Sequence, residues 1–330
     1  MDFSLNQQEA RLMFCYQAYL MNIDILVTID TQEREVKRLW FSAWTVATEE
    51  FLSQKQDGNS QLCSITPVLK LDDLEIGKIS KIKRGIILLE VALFSPYYPL
   101  GLDLDEKCKG LKFKSQDTIK SHIRIAADNL FLEPVIIDDF VKAYNDSKKA
   151  LQGSFNNWAV GLFGGVLIAV SAAFFTPFVA GALASIFFPS LSGAAAVSAM
   201  LAALGGGAIA VGGAGMAGGF AVVVGGGALL GAGIGTGVNE GISQLLFKSP
   251  EAALNQAAKL EVTCKEICLK FDGRDLVRSI IKSLRSNILE LKNQRDDYSD
   301  KMNTSKDELD NIDKTIAILE RLLSRLEKLL

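Results

Sequence analysis

The chain has 330 residues, and its 35 basic and 38 acidic side chains leave a net charge of −3, which argues against a nucleic-acid binder. Five scattered cysteines make no disulfide framework and read as reduced thiols. The averages conceal a segregation: residues 150–239 hold no Asp, Glu, Lys, Arg or His, where ordinary usage would place about 20 charges.

The chain divides accordingly into an N-terminal arm (1–150), a glycine-rich apolar segment (151–247) and a C-terminal arm (248–330). The start lacks a basic run, and Glu9 and Arg11 interrupt its apolar residues, so it does not read as a signal peptide and the first arm is expected on the cytosolic side. Leu12, Tyr16, Tyr19, Leu20 and Ile23 fall at helical spacing. Val36, Leu39, Trp40, Trp44 and Val46 do the same after the polar stretch Asp30–Glu35. Gln54–Ser60 reads as a loop. Ile82–Phe94 is apolar with an ambiguous period, helix or strand, and stops at the prolines Pro96 and Pro99. Further helices are predicted over Asp117–Leu130 and from Pro134 through Tyr144, the last running on towards Trp158 with only Gly153 to interrupt it.

Prolines divide the central segment. Trp158–Thr176, Leu191–Val211 and Met216–Val238 are each long enough to cross a hydrocarbon core of about 30 Å, whereas Phe178–Phe188, between Pro177 and Pro189, is too short. Two to four passes are expected, with an even number favoured by two cytosolic arms. Lys142, Lys148 and Lys149 before the segment and Lys248 after it are the flanking cations. Gly227, Gly231 and Gly235 recur every four residues, and Gly233, Gly237 and Gly241 repeat the pattern on an adjacent stripe. Gly215 and Gly219 form a single pair of the same kind. Glycines at i and i+4 let helix backbones approach closely in lipid, where apolar burial alone gives little attraction.

The C-terminal arm carries an a/d seam of Leu309, Ile312, Ile316, Leu319, Leu323, Leu326 and Leu330. An earlier set, Val277, Ile281, Leu284, Ile288 and Leu291, is in phase with it. Either one helix runs from about Asp275, or a hairpin turns within Asn293–Ser305; the polar middle and the capping-box form of Ser305-Lys-Asp-Glu308 favour the hairpin. The seam can join two copies or pack within one chain. Asp272-Gly273 marks the end of the preceding helix.

Chemistry is sparse. Gly213-Ala-Gly215-Met-Ala-Gly218 matches a dinucleotide-binding spacing, but without amphipathic crossover helices the match carries no weight. There is no nucleophile elbow, P-loop or zinc-protease motif. His122, the single histidine, fits a helix surface, Cys264 and Cys268 read as buried thiols, and Glu240 as a solvated charge. No catalytic, cofactor or metal site is expected, and the chain does not read as an enzyme.

The stretch Leu191–Gly219, with Gly205-Gly206-Gly207, Gly212-Gly213 and Gly218-Gly219, resembles the Gly/Ala-rich membrane module of some bacterial proteins. It is also similar to the glycine-rich apolar regions of membrane-active helical proteins, including α-pore-forming toxins. The resemblance implies a membrane-inserting, pore-forming or permeabilising effector, for example in bacterial defence. The expected fold is mainly all-α. Expected partners are the lipid bilayer, further copies of the chain, and a regulatory protein acting through the arms. The expected location is a bacterial inner membrane with cytoplasmic arms, reached from a soluble precursor form. A constitutive membrane scaffold without pore activity is the alternative.

Overall fold

The computed structural model describes residues 4–53, 61–62, 76–97, 105–153, 222–223, 229, 250–299 and 306–330. The described chain is mostly helical: α1 (Gln7–Val27), α2 (Thr31–Ser53), α3 (Lys81–Ala92), α4 (Asp105–Cys108), α5 (Gln116–Asn129), α6 (Ile136–Gln152), α7 (Pro250–Val262), α8 (Arg274–Ser299) and α9 (Lys306–Glu327). A two-residue antiparallel pair joins β1 (Ser4–Leu5) to β2 (Val222–Val223). No helix among the described residues is long and apolar enough to cross a membrane. The proposed spans and Gln54–Ser60 lie outside the described residues, apart from Val222, Val223 and Leu229.

A capping box starts α1: Asn6 Oδ1 accepts from the Glu9 backbone N–H, and the Asn6 N–H donates to Glu9 Oε2, both at 2.9 Å. Lys83 of α3 holds the same carboxylate at 2.8 Å. Leu12, Met13, Phe14, Tyr16, Leu20 and Met21 are all buried, so α1 is apolar on almost every side and runs between α2, α3 and α5.

On α2 the buried stripe is Lys37, Trp40, Trp44 and Thr48. Leu39 and Val46, expected on the apolar face, are instead 48% and 59% exposed. The two tryptophans stack 6.4 Å apart and meet Phe14, Phe41, Phe94 and Tyr97, which fixes that line of the helix inward and rotates Leu39 and Val46 out. Lys37 is the charged member of the stripe. Its Nζ donates to Asp24 at 2.7 Å and to Thr28 Oγ1 at 3.2 Å, and lies 3.1 Å from Glu33. Asp24 also accepts from the Tyr97 hydroxyl at 2.6 Å and the Lys114 backbone N–H at 2.5 Å. Asp24 and Lys37 have no exposed side-chain surface and each is held by three neighbours, so the cluster is a structural joint with no face for a substrate.

The ambiguous apolar run is helix α3, capped by Ser80, whose side chain accepts from the Lys83 N–H. Gly85 lets it pack closely: a Cβ there would sit 2.9 Å from Ile267. Helix α6 begins at Ile136, two residues after Pro134, which stays in the preceding turn. It does not run on towards Trp158 but stops at Gln152. After the segment, α7 continues into a π-helical turn, Thr263–Cys268, and the chain turns at Asp272-Gly273 as expected. Helices α8 and α9 form the hairpin. Arg295–Asp313 at 2.9 Å, Lys292–Glu320 at 2.6 Å and Arg285–Glu327 at 2.7 Å set them antiparallel.

The two arms, read in the sequence as separate units, share one core. Helix α6 packs on α7 and α9, and α3 packs on the π-helical turn. Lys259 of α7 and Glu90 of α3 pair at 2.7 Å with 4% and 1% side-chain exposure. Glu90→Ala would leave Lys259 buried opposite an uncharged site and is expected to lower stability by about 3–5 kcal/mol in urea unfolding. Glu90→Met combined with Lys259→Met should recover most of that loss.

Candidate functional site

The charge-free segment is the feature without a structural explanation in the helical body, so the candidate site is where the two meet. The described residues show three such places.

The first is the exit. Helix α6 ends at Gly153, whose φ of 59° and ψ of −135° suit only glycine. The last carbonyls of a helix lack intrahelical partners and carry partial negative charge. Arg321 of α9 satisfies them, Nη1 donating to Leu151 O at 2.8 Å and to Gln152 O at 3.1 Å. A Cβ on residue 153 would sit 2.8 Å from this guanidinium. The exit is therefore held by the C-terminal helix.

The second is a set of cross-links between α6, which leads to the exit, and α7, which follows the return. Arg325 of α9 grips Glu261 of α7 through Nε at 2.8 Å and Nη2 at 2.6 Å, and Ser147 of α6 donates to Glu261 Oε2 at 2.6 Å. The Tyr144 hydroxyl donates to Asn255 Oδ1 at 3.1 Å. Burial raises the Tyr144 phenol well above its ordinary range and lowers Lys148, whose ammonium stands over the Tyr144 ring at 5.5 Å. Helices α6, α7 and α9 are thus cross-linked to one another.

The third lies within the segment itself. Ser4 pairs with Val223 and Leu5 with Val222, and the capping box at Asn6 and Glu9 fixes the strand that receives them. Asn287 of α8 donates from Nδ2 to the Leu229 carbonyl at 2.8 Å. Leu5 is 1% and Leu229 5% exposed. Two points of the apolar stretch are held on the helical body by backbone pairing and one side-chain hydrogen bond.

Gly215, Gly219, Gly227, Gly231, Gly233, Gly235, Gly237 and Gly241 lie outside the described residues, as does Glu240. The heptad seam is placed within one chain: Ile312, Ile316, Leu319 and Leu326 are buried, Leu309 and Leu323 half-buried, and Leu330 exposed. They face α7 and α8, together with Ile318 and Leu322. Cys264 and Cys268 are fully buried, and burial pushes the Cys268 thiol up to about 12 and Cys264 well above its usual range, away from thiolate chemistry. His122 is half-buried, with Nδ1 2.6 Å from the Tyr19 hydroxyl. Sequence reasoning missed Arg321, Glu261, Arg325, Asn287 and the Ser4–Leu5 strand. Only the strand's neighbour left a local signal, the Asn6-Gln-Gln-Glu9 capping box.

Comparison of the chain with protein-family models, curated proteins and solved structures finds no match.

Gly153→Ala is expected to destabilise the protein by about 1–3 kcal/mol, because the backbone conformation is strained for any side chain. Adding Arg321→Ala removes the close contact but not the strain, so the double variant should remain less stable than wild type in chemical denaturation.

Proposed function

We propose that the chain is a membrane-inserting effector that permeabilises a bilayer, its helical body carrying the charge-free segment and controlling when it is released. The observation that carries this reading is the absence of any charged residue over 150–239, between two helices that pack on each other. Such a stretch offers water no ionised group, only its backbone and a few scattered Ser, Thr, Asn and Gln side chains. In a bilayer the backbone is satisfied by helix formation, and the apolar side chains match the solvent. Met216–Val238 as a helix is roughly 35 Å long, enough to span with a modest tilt.

The geometry of the body supports release followed by insertion. Among the described residues the segment is held by the two-residue pairing at Val222–Val223 and the hydrogen bond at Leu229, whereas α6, α7 and α9 are cross-linked by charge-assisted hydrogen bonds on Glu261. The stretch can therefore leave while the base that carries it stays folded. Gly153 supplies the pivot. In lipid, Gly227, Gly231 and Gly235, with Gly233, Gly237 and Gly241 beside them, provide the close-packing faces, and Gly215 and Gly219 a further one. Because Ile312, Ile316, Leu319 and Leu326 pack inward, assembly of several copies would rest on these glycines and not on the C-terminal seam.

Dye release from lipid vesicles tests the reading. Wild type should empty them, and replacing Gly227, Gly231 and Gly235 together by leucine should abolish release while leaving the protein bound. A wild-type chain that binds vesicles without ever releasing dye would overturn permeabilisation and favour a membrane scaffold.

A further inference from the structure

We infer that α8 carries a docking face for anionic lipid headgroups. The inference takes the membrane as destination from the proposed function and adds which lipids are recognised and by which residues. Residues 274, 278, 282, 285, 289 and 292 are spaced 4, 4, 3, 4 and 3 apart, so they share one side of the helix. All six are exposed. Five are cations: Arg274, Arg278, Lys282, Arg285 and Lys292. The sixth, Leu289, is 62% exposed in their midst. The adjoining side, Val277, Ile280, Leu284 and Ile288, is buried in the core, so the cationic stripe runs along the exposed flank of the packed seam.

The ion pairs leave a net positive face. Arg278 is paired with Asp275 at 2.6 Å, Arg285 with Glu327 at 2.7 Å and Lys292 with Glu320 at 2.6 Å. Arg274 and Lys282 have no ionic partner among the described residues. Asp296, one turn beyond Lys292, is adjacent to Arg295 at 3.5 Å and bounds the face at that end. In a chain of net charge −3, this concentration of cations selects a negative surface.

One feature favours lipid over a nucleic acid. An exposed leucine among cations suits the headgroup–acyl boundary, where the apolar side chain enters and the long basic stems reach back to phosphate.

Flotation of the full chain with vesicles tests this. Vesicles of phosphatidylcholine mixed with phosphatidylglycerol should bind it, phosphatidylcholine alone only weakly, and added salt should weaken the anionic binding. Arg274→Gln with Lys282→Gln should reduce affinity for the anionic vesicles roughly thirtyfold, from the loss of two surface cations. Both residues are exposed, so the variant's thermal unfolding should match wild type. Leu289→Ser should lower binding to both vesicle types. Equal, salt-independent binding of wild type to both vesicle types would overturn the lipid face and leave the proposed function standing, whereas binding to neither would sink both. Binding of a DNA duplex that the double variant loses, with no preference for anionic vesicles, would assign the face to nucleic acid and overturn the proposal.

Discussion

The buried pair of Glu90 and Lys259 is the interaction on which the architecture turns. One residue precedes the charge-free segment and the other follows it, and neither has water to fall back on. With Glu261, Arg325 and Ser147 it ties the chain before the segment to the chain after it. The segment is therefore an insertion into one helical body, not a link between two independent arms. A body of this kind can keep its own core while the insertion changes surroundings.

The buried charges divide by their surroundings. Asp24, Lys37, Tyr97 and Thr28 hydrogen-bond one another and join the α1–α2 turn to later parts of the chain. The charges near the segment do a different job, with Arg321 closing the end of α6 and Arg325 bracing α7 against α9. Both are drawn from the C-terminal helix, so the last element of the chain holds the exit of an insertion that begins at the middle. Among the described residues, the contacts on the segment itself are elsewhere, at β1 and Asn287.

Much of this was legible where one residue's neighbours in sequence are its neighbours in space. The helices at Leu12–Ile23, Asp117–Leu130 and the two C-terminal stretches follow from apolar spacing, and the polar middle between Asn293 and Ser305 foretold the hairpin. The segregation of charge marked the segment from composition alone. Contacts across long separations were not legible. Lys37 reads as a surface lysine until Asp24 and Tyr97 are placed beside it, and Arg321 reads as a flank of the heptad seam because its acceptors are backbone carbonyls far upstream. The seam itself was ambiguous in principle, since the same leucines serve a second copy or the chain's own α7 and α8; the fold resolved it inward. The cationic side of α8 emerges only when its register is read for charge as well as for leucine.

The central claim is that the apolar stretch is held on the body at rest and must leave it to act on lipid. Ser4→Cys with Val223→Cys, in a Cys63→Ser background, places two thiols across the β1–β2 pair, within the Cα separation a disulfide accepts. The most direct measurement is dye release by this protein before and after reduction. The account predicts that the oxidised, tethered form releases little and that a reductant restores release to the wild-type level. Equal release in the two states would contradict it.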